Sequence, residues 1–197
     1  MTEQTKKADP LKVWTGEFRA SFVALFEPKQ SDEPGKKPKY GLTMLFPPGY
    51  DLGAVKAATK ACLEEKFGKD QAKWPKNLRM PWRDQAEKSD QYDGFVPGAP
   101  FMNVTSVNKP GLVDADRNPI HEPREFYSGC YARATIRAFY YENKGNKGVS
   151  FGLQNVQKLR DGEPLGGGMA KAEDDFAAPA ASAAGGGAPA SADSLFG

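Results

Sequence analysis

Cysteine and histidine are nearly absent. The 197 residues include two cysteines and one histidine. Cys62 and Cys130 lie in unrelated contexts and neither has a CxxC partner, which excludes the usual zinc and dithiol motifs and predicts two reduced, partly buried thiols. His121 stands beside Glu122 and Pro123, with no serine or cysteine partnership for nucleophilic catalysis. No apolar run reaches the roughly 20 residues that span a bilayer. Residues 1–10 are polar, without the apolar centre of a secretion signal. A cytoplasmic protein without membrane attachment is expected. No glycine-rich phosphate loop follows a strand, since Gly166-Gly167-Gly168 has no helix after it. No cofactor is expected.

Metal-binding residues are equally thin. Asp114, Asp116 and Asn118 match the first three ligand positions of an EF-hand loop, and Glu125 falls at the twelfth. The sixth position, where the loop must turn sharply and glycine is normal, is Pro119, whose φ is fixed near −65°. No flanking helices are evident. An ordinary Asp-Asn turn accounts for the segment better. A metal-dependent nuclease using Asp114, Asp116 and Glu125 is retained as the enzyme alternative.

What the chain does have is charge of two signs, kept apart. Lys171 against Glu173, Asp174, Asp175 and Asp193 gives residues 166–197 a net −3, and the whole-chain +2 then leaves +5 for residues 1–165. Ala177 to Ala192 contains only Ala, Gly, Pro and Ser. Such a spacer buries too little apolar surface to offset its ordering entropy, so residues 169–197 are expected to be a disordered acidic tail. Residues 1–10 are expected to be a flexible start, and residues 11–168 form one domain of ordinary size.

Within the domain, strand patterns dominate. Val13 to Phe26 alternates, with Trp14, Gly16, Phe18, Ala20, Phe22, Ala24 and Phe26 on one side, predicting a single long strand with a buried face. Trp14, Phe18 and Phe22 are therefore expected in the core. Glu27 to Lys39 reads as a lysine-rich loop and Tyr40 to Phe46 as a second strand. Asp51 to Phe67 is the one helix, with Asp51 placed to cap it and Gly68 at its C-terminal exit. Lys69 to Pro100 is irregular, and irregular stretches of such length in compact domains are usually functional or partly disordered. Phe101 to Val107 is a third strand. Leu112-Val113 and Pro119-Ile120 flank a tight turn. Phe126 to Tyr141 and Val149 to Leu159 are long strands joined at Lys144-Gly145-Asn146-Lys147-Gly148. The sum is mainly β, a small antiparallel barrel with one inserted helix and long loops.

The strand Tyr131 to Tyr141 carries the functional signal. Its even positions, Ala132, Ala134, Ile136 and Ala138, are small and apolar, as the interior of a small barrel requires. Its odd positions interleave Tyr131, Phe139 and Tyr141 with Arg133 and Arg137. That face suits bases stacking on rings while guanidinium groups meet phosphates. An exposed strand face that merely carries Arg and Tyr is the plain alternative. Further basic-aromatic pairs, Lys39-Tyr40, Lys73-Trp74 and Trp82-Arg83, tilt the balance toward nucleic acid.

Gly129-Cys-Tyr-Ala-Arg133, Gly148-Val-Ser-Phe-Gly-Leu-Gln-Asn-Val-Gln157 and Gly162-Glu-Pro-Leu-Gly-Gly-Gly168 resemble a known family, the small phage single-stranded DNA-binding proteins first catalogued as a domain of unknown function. The resemblance covers residues 126–168 most closely and extends over residues 11–168. It implies an OB-fold, a five-stranded barrel that binds single strands. It also implies a role in phage DNA replication, recombination and repair, and no catalytic residues. The tail is similar to the acidic, phenylalanine-bearing C-termini of single-stranded DNA-binding proteins, though it is weakly acidic and Gly197 follows Phe196.

These readings predict largely sequence-independent binding of single-stranded DNA. The candidate contacts are Tyr131, Arg133, Arg137, Phe139, Trp82 and Tyr92, with Lys36, Lys37, Lys39, Lys73, Lys76 and Lys109 reaching the backbone from loops. Asp174, Asp175, Phe176, Asp193, Leu195 and Phe196 are the candidate tail contacts for replication or recombination proteins. A strand-annealing protein shares all these features, and a peptide-binding adaptor is a second alternative. Monomer and dimer are both compatible with the sequence, and so are DNA and RNA.

Overall fold

The computed structural model describes residues 9–30 and 35–166. The predicted tail therefore lies outside the described residues, as does most of the predicted flexible start. Eight strands and one α-helix follow in the order β1 (Lys12–Trp14), β2 (Phe18–Lys29), β3 (Lys39–Leu45), α1 (Gly53–Phe67), β4 (Trp82–Asp84), β5 (Pro100–Ser106), β6 (Gly111–Val113), β7 (Tyr131–Asn143) and β8 (Asn146–Arg160).

Five of these strands close into a ring. β2 pairs with β3, β3 with β5, β5 with β8, β8 with β7, and β7 back with β2. All the junctions are antiparallel except β5–β8, where Val104 faces Phe151 and Thr105 faces Gly152 in parallel register. That strand order and single parallel seam are the OB-fold barrel that the resemblance implied. Among the described residues α1 is the sole α-helix, as the sequence predicts. β1 extends the β2 side of β7, placing Val13 opposite Ile136 and Trp14 opposite Thr135.

The interior is filled as the alternation of β7 demands. Ala132, Ala134, Ile136 and Ala138 are all buried, opposite Val149, Phe151, Leu153 and Val156 of β8 and Leu42, Met44, Met102 and Val104 of β3 and β5. α1 buries Val55, Ala58, Cys62 and Leu63 against this core. Full burial of a Val or Leu side chain contributes about 1.5–3 kcal/mol. Asp51 accepts the Gly53 N–H at 2.8 Å just before the helix, and Gly68 ends it with a left-handed φ of 84°. The β7–β8 hairpin turns on Lys144 and Gly145, both at positive φ (48° and 80°), the two-residue geometry whose twist matches its strands.

Several boundaries depart from the sequence reading: α1 starts at Gly53 with Leu52, not Asp51, at its N-cap, β8 starts at Asn146, and two further departures bear on the site. Val13 to Phe26 is two strands, not one, and the buried face changes sides along it. Val13 and Thr15 are buried while Trp14 is 66% exposed. Phe18 and Ala20 are buried as expected, but Phe22 has φ 48° at a register shift between Ser21 and Ala24, and its ring is 45% exposed. A bulge inserts one residue and inverts the side-chain phase beyond it, so Leu25 takes the core position. Trp14 and Phe22 are thus surface aromatics. β7 also begins later than expected. Gly129 and Cys130 precede it in a turn, with the Gly129 N–H bonded to the Ala20 carbonyl at 2.8 Å.

The irregular stretch is built, not loose. Gln85 is buried and spends its whole amide on backbone. Its Nε2 donates to the Phe46 and Pro100 carbonyls at 2.8 and 2.9 Å, and its Oε1 accepts from Val96 at 2.8 Å. Asp84 accepts from the Ala86 and Gly98 N–H groups, which hold its carboxyl below the usual carboxylate range. Residues 85–100 thereby fold over one end of β3 and β5, where Leu45, Phe95 and Phe101 form a small second core.

Candidate nucleic-acid interface

The end of β3 and β5 that the 85–100 segment leaves open has a floor of small or polar groups. Gly41, Thr43, Asn103 and Thr105 line it, and the Thr43 hydroxyl donates to Asn103 Oδ1 at 2.7 Å. Alternation along β5 explains this, since Met102 and Val104 point inward and Asn103 and Thr105 outward.

Walls rise on three sides of that floor. On one side stand Lys36, from the β2–β3 connection, and Lys39, the first residue of β3. On another, residues 79–83 cross the barrel. Arg79 forms a parallel bridge with Gly148, and Trp82 pairs with Met102. On the third, the β7–β8 hairpin contributes Phe139, Tyr141, Asn143 and Ser150. The result is a groove of about 820 Å³. Lys36, Lys39, Arg79 and Arg83 face it together with Trp82, Phe139 and Tyr141, and none of the described residues lining it is acidic. Arg83 is shared, pairing with Glu87 at 3.2 Å and lying 4.7 Å from the Phe101 ring.

A shallower arm continues from Lys39, Asn103 and Thr105 to Lys29 and Phe22. There Phe22 meets Tyr92 edge to face at 4.9 Å, and the Lys88 ammonium lies 5.2 Å from the Phe22 ring and 5.4 Å from the Tyr92 ring. The Lys88 cation over both rings, with Phe95 packed beside them at 6.4 and 6.2 Å, helps keep this exposed aromatic pair in place.

Of the residues singled out in the sequence, Lys36, Lys39, Trp82 and Phe139 meet in the main groove. Lys37 is exposed on the same connection, and Tyr92 stands beside Phe22 at the end of the arm. Tyr131, Arg133 and Arg137 share the outer face of β7 but fall into separate surroundings. The Tyr131 ring carries the Arg160 guanidinium at 3.5 Å, with that of Arg19 at 5.8 Å. Arg133 donates to Gln157 at 2.8 Å, and Arg137 pairs with Asp9 at 2.9 Å. Lys73, Lys76 and Lys109 are exposed and do not line the groove, Lys73 lying 3.8 Å from Asp70.

Arg79, Arg83 and Tyr141 are the groove residues that the sequence reading did not select. A basic pair flanking Met80-Pro81-Trp82 was visible, but nothing local shows that this segment crosses the barrel. The Asp114–Asn118 segment is a closed turn, in which Asp114 accepts from both the backbone and the side chain of Asn118 at 2.8 and 3.0 Å. Glu125 faces the Glu122 N–H in a separate short 3-10 turn. Among the described residues, no three His, Cys, Asp or Glu side chains gather to hold a metal ion, and no helix is long and apolar enough to cross a membrane.

A family model described as "Enterobacter phage Enc34, ssDNA-binding protein" matches residues 11–185. The chain belongs to this family. Protein p50 of Acyrthosiphon pisum secondary endosymbiont phage 1 is 33% identical over 174 residues, covering 83% of this chain and 92% of that protein. Among solved structures, the single-stranded DNA-binding protein of bacteriophage Enc34 in complex with ssDNA has a similar fold, with a TM-score of 0.63 at 24% identity, covering 79% of this chain and 90% of that one. The single-stranded DNA-binding protein gp2.5 of bacteriophage T7 has a TM-score of 0.54 at 14% identity, covering 77% and 93%.

Proposed function

We propose that this protein binds single-stranded DNA, with little sequence preference, in the groove between the β2–β3 connection and the β7–β8 hairpin. The observation that carries this reading is the lining itself, four cations and three aromatics with no described carboxylate. The place is also the one OB-folds use for oligonucleotides, the outer face of the second and third barrel strands and the loops after the first and fourth. Membership of a family described by ssDNA binding supports it.

The mechanism is backbone tracking plus stacking. Lys36, Lys39, Arg79 and Arg83 neutralise phosphates and release condensed counterions. Four such contacts give a slope of about −3 in log affinity against log salt. Trp82, Phe139 and Tyr141 offer ring faces worth about 1–3 kcal/mol per stacked base. Asn103, Thr105 and Ser150 supply hydrogen bonds at the floor without base-specific geometry. Lys37 and Tyr92 extend the path at its ends. Tyr131, with Arg160 over its ring, takes a base only if that guanidinium moves aside.

The role we assign is protection of single strands in phage DNA replication, recombination and repair, in the host cytoplasm and without catalysis. In the acidic tail, Asp174, Asp175, Phe176, Asp193, Leu195 and Phe196 are the contacts through which replication or recombination proteins are recruited. Titration of a labelled dT oligomer at two salt concentrations tests the core of this reading. Tight binding at low salt that weakens steeply with added salt is expected, and no binding at low salt overturns it. Cleavage of the oligomer on adding magnesium or manganese would overturn the non-catalytic assignment. Loss of partner capture on deleting residues 169–197, with the barrel intact, is the expected result for the tail.

A further inference from the structure

Away from the groove, a second depression of about 370 Å³ lies on the outer face of β1, β7 and β8. Trp14, Arg117, Arg133, Thr135, Asn155 and Gln157 line it, and no carboxylate is among its described lining residues. Trp14 is 66% exposed, the most exposed of the large hydrophobic side chains among the described residues, and the Lys12 ammonium lies 4.8 Å from its ring. The platform is fixed from below. Trp14 is in register with Thr135, and the Thr15 hydroxyl accepts the Ala134 N–H at 2.9 Å. Arg117 is set by its turn, with φ 72° and its N–H on the Asp114 carbonyl at 3.1 Å. Two acidic groups nearby are already engaged, Asp114 by Asn118 and Asp9 by Arg137.

One strand connects this depression to the groove. Along the outer face of β7, Phe139 belongs to the groove and Arg133 to the depression, with Arg137 and Thr135 between them. Six residues of strand span about 20 Å. Gly152, opposite Arg137, adds no side chain on the β8 side of the path, and Arg137, paired with Asp9, stands at its middle.

We propose that the Trp14 cradle takes a second length of the same DNA strand, with a base stacked on the Trp14 indole and the phosphates beside it met by Arg117, Arg133 and Lys12. Charge complementarity selects this occupant, since an exposed indole ringed by cations and amides suits a polyanion with π-faces. The proposal rests on the groove being a DNA site, and it makes the footprint of one protein longer than the groove alone.

Its test compares dT oligomers of about 8 and about 24 nucleotides, chosen because an OB-fold occupies roughly 4–16 nucleotides. Trp14→Ala and the double variant Arg117→Ala/Arg133→Ala should weaken binding of the long oligomer about fivefold or more, the scale of one lost stack, and leave the short one unchanged. Phe139→Ala should weaken both. In a protein with Trp74→Phe and Trp82→Phe, the emission of Trp14 should be quenched by the long oligomer and not by the short one. Equal losses for both lengths, or no loss with unchanged Trp14 emission, overturn the cradle as the site of a second length of strand. If the unaltered protein binds neither oligomer, the groove reading itself falls, and the cradle with it.

Discussion

Arg79 and Gly148 are held as a parallel bridge, with the Val149 N–H donating to the Arg79 carbonyl at 3.2 Å and the Arg79 N–H donating to the Lys147 carbonyl at 2.9 Å. Gly148 has no side chain because a Cβ there would press on the Arg79 carbonyl. This contact fixes the groove wall formed by residues 79–83 onto the β7–β8 hairpin. Gly148→Ala should push that wall away, costing about 1–3 kcal/mol of stability, the usual range for overpacking. DNA affinity should fall with it. Thermal unfolding and a dT titration check both, and an unchanged affinity would show that the wall does not touch DNA.

Stacking and charge contributions separate by their salt dependence. Phe139→Ala should cost about 1–3 kcal/mol of affinity at every salt concentration. Lys39→Ala should lessen the steepness of the salt slope by about 0.7, the share of one phosphate contact on a single strand. Both side chains are exposed, so the melting temperature should move little in either case. Parallel titrations at several salt concentrations distinguish the two signatures.

Gln85 bonds three backbone groups, of which the Pro100 carbonyl also accepts the Phe46 N–H at 3.1 Å. Gln85→Leu keeps the approximate volume and removes the side-chain partner of the other two, the Phe46 carbonyl and the Val96 N–H. Each buried unsatisfied group costs about 1–3 kcal/mol, so a large loss of stability is expected in urea unfolding. A change below about 0.5 kcal/mol, the scale of an ordinary surface substitution, would mean that water reaches these groups.

Burial, together with the nearby Cys130 and Asp161, pushes the Tyr127 hydroxyl up to about 12. Its O–H donates to the Gly162 carbonyl at 2.9 Å and to Asp161 at 3.1 Å. Because the folded value lies above the ordinary value of 10.0, the stabilisation is full below pH 10 and is lost as pH rises toward 12. Tyr127→Phe should therefore be less sensitive than the parent to alkaline pH in that window. Unfolding midpoints of both proteins between pH 9 and pH 12 check it, and identical pH profiles would rule it out.

The alternation of β7, the Lys144-Gly145 turn and the helix ending at Gly68 were legible in the chain because each is set by contacts a few residues apart. The family resemblance in residues 126–168 was equally legible, and the barrel it implied is the barrel found. The β2 bulge was not. The segment reads as one clean alternation, but pairing with β3 puts Phe22 at positive φ and turns it outward, while Trp14 faces out because β1 is a separate strand paired with β7.

By itself, then, the sequence determined the character of the surface: a basic, aromatic-bearing β domain. Tertiary structure decided where those residues meet. The groove gathers side chains from the β2–β3 connection, residues 79–83, β5 and the β7–β8 hairpin. They converge because the parallel β5–β8 seam closes the barrel and brings Val104 beside Phe151. Closure of a ring is a long-range constraint, and no local pattern encodes which outward faces it leaves adjacent.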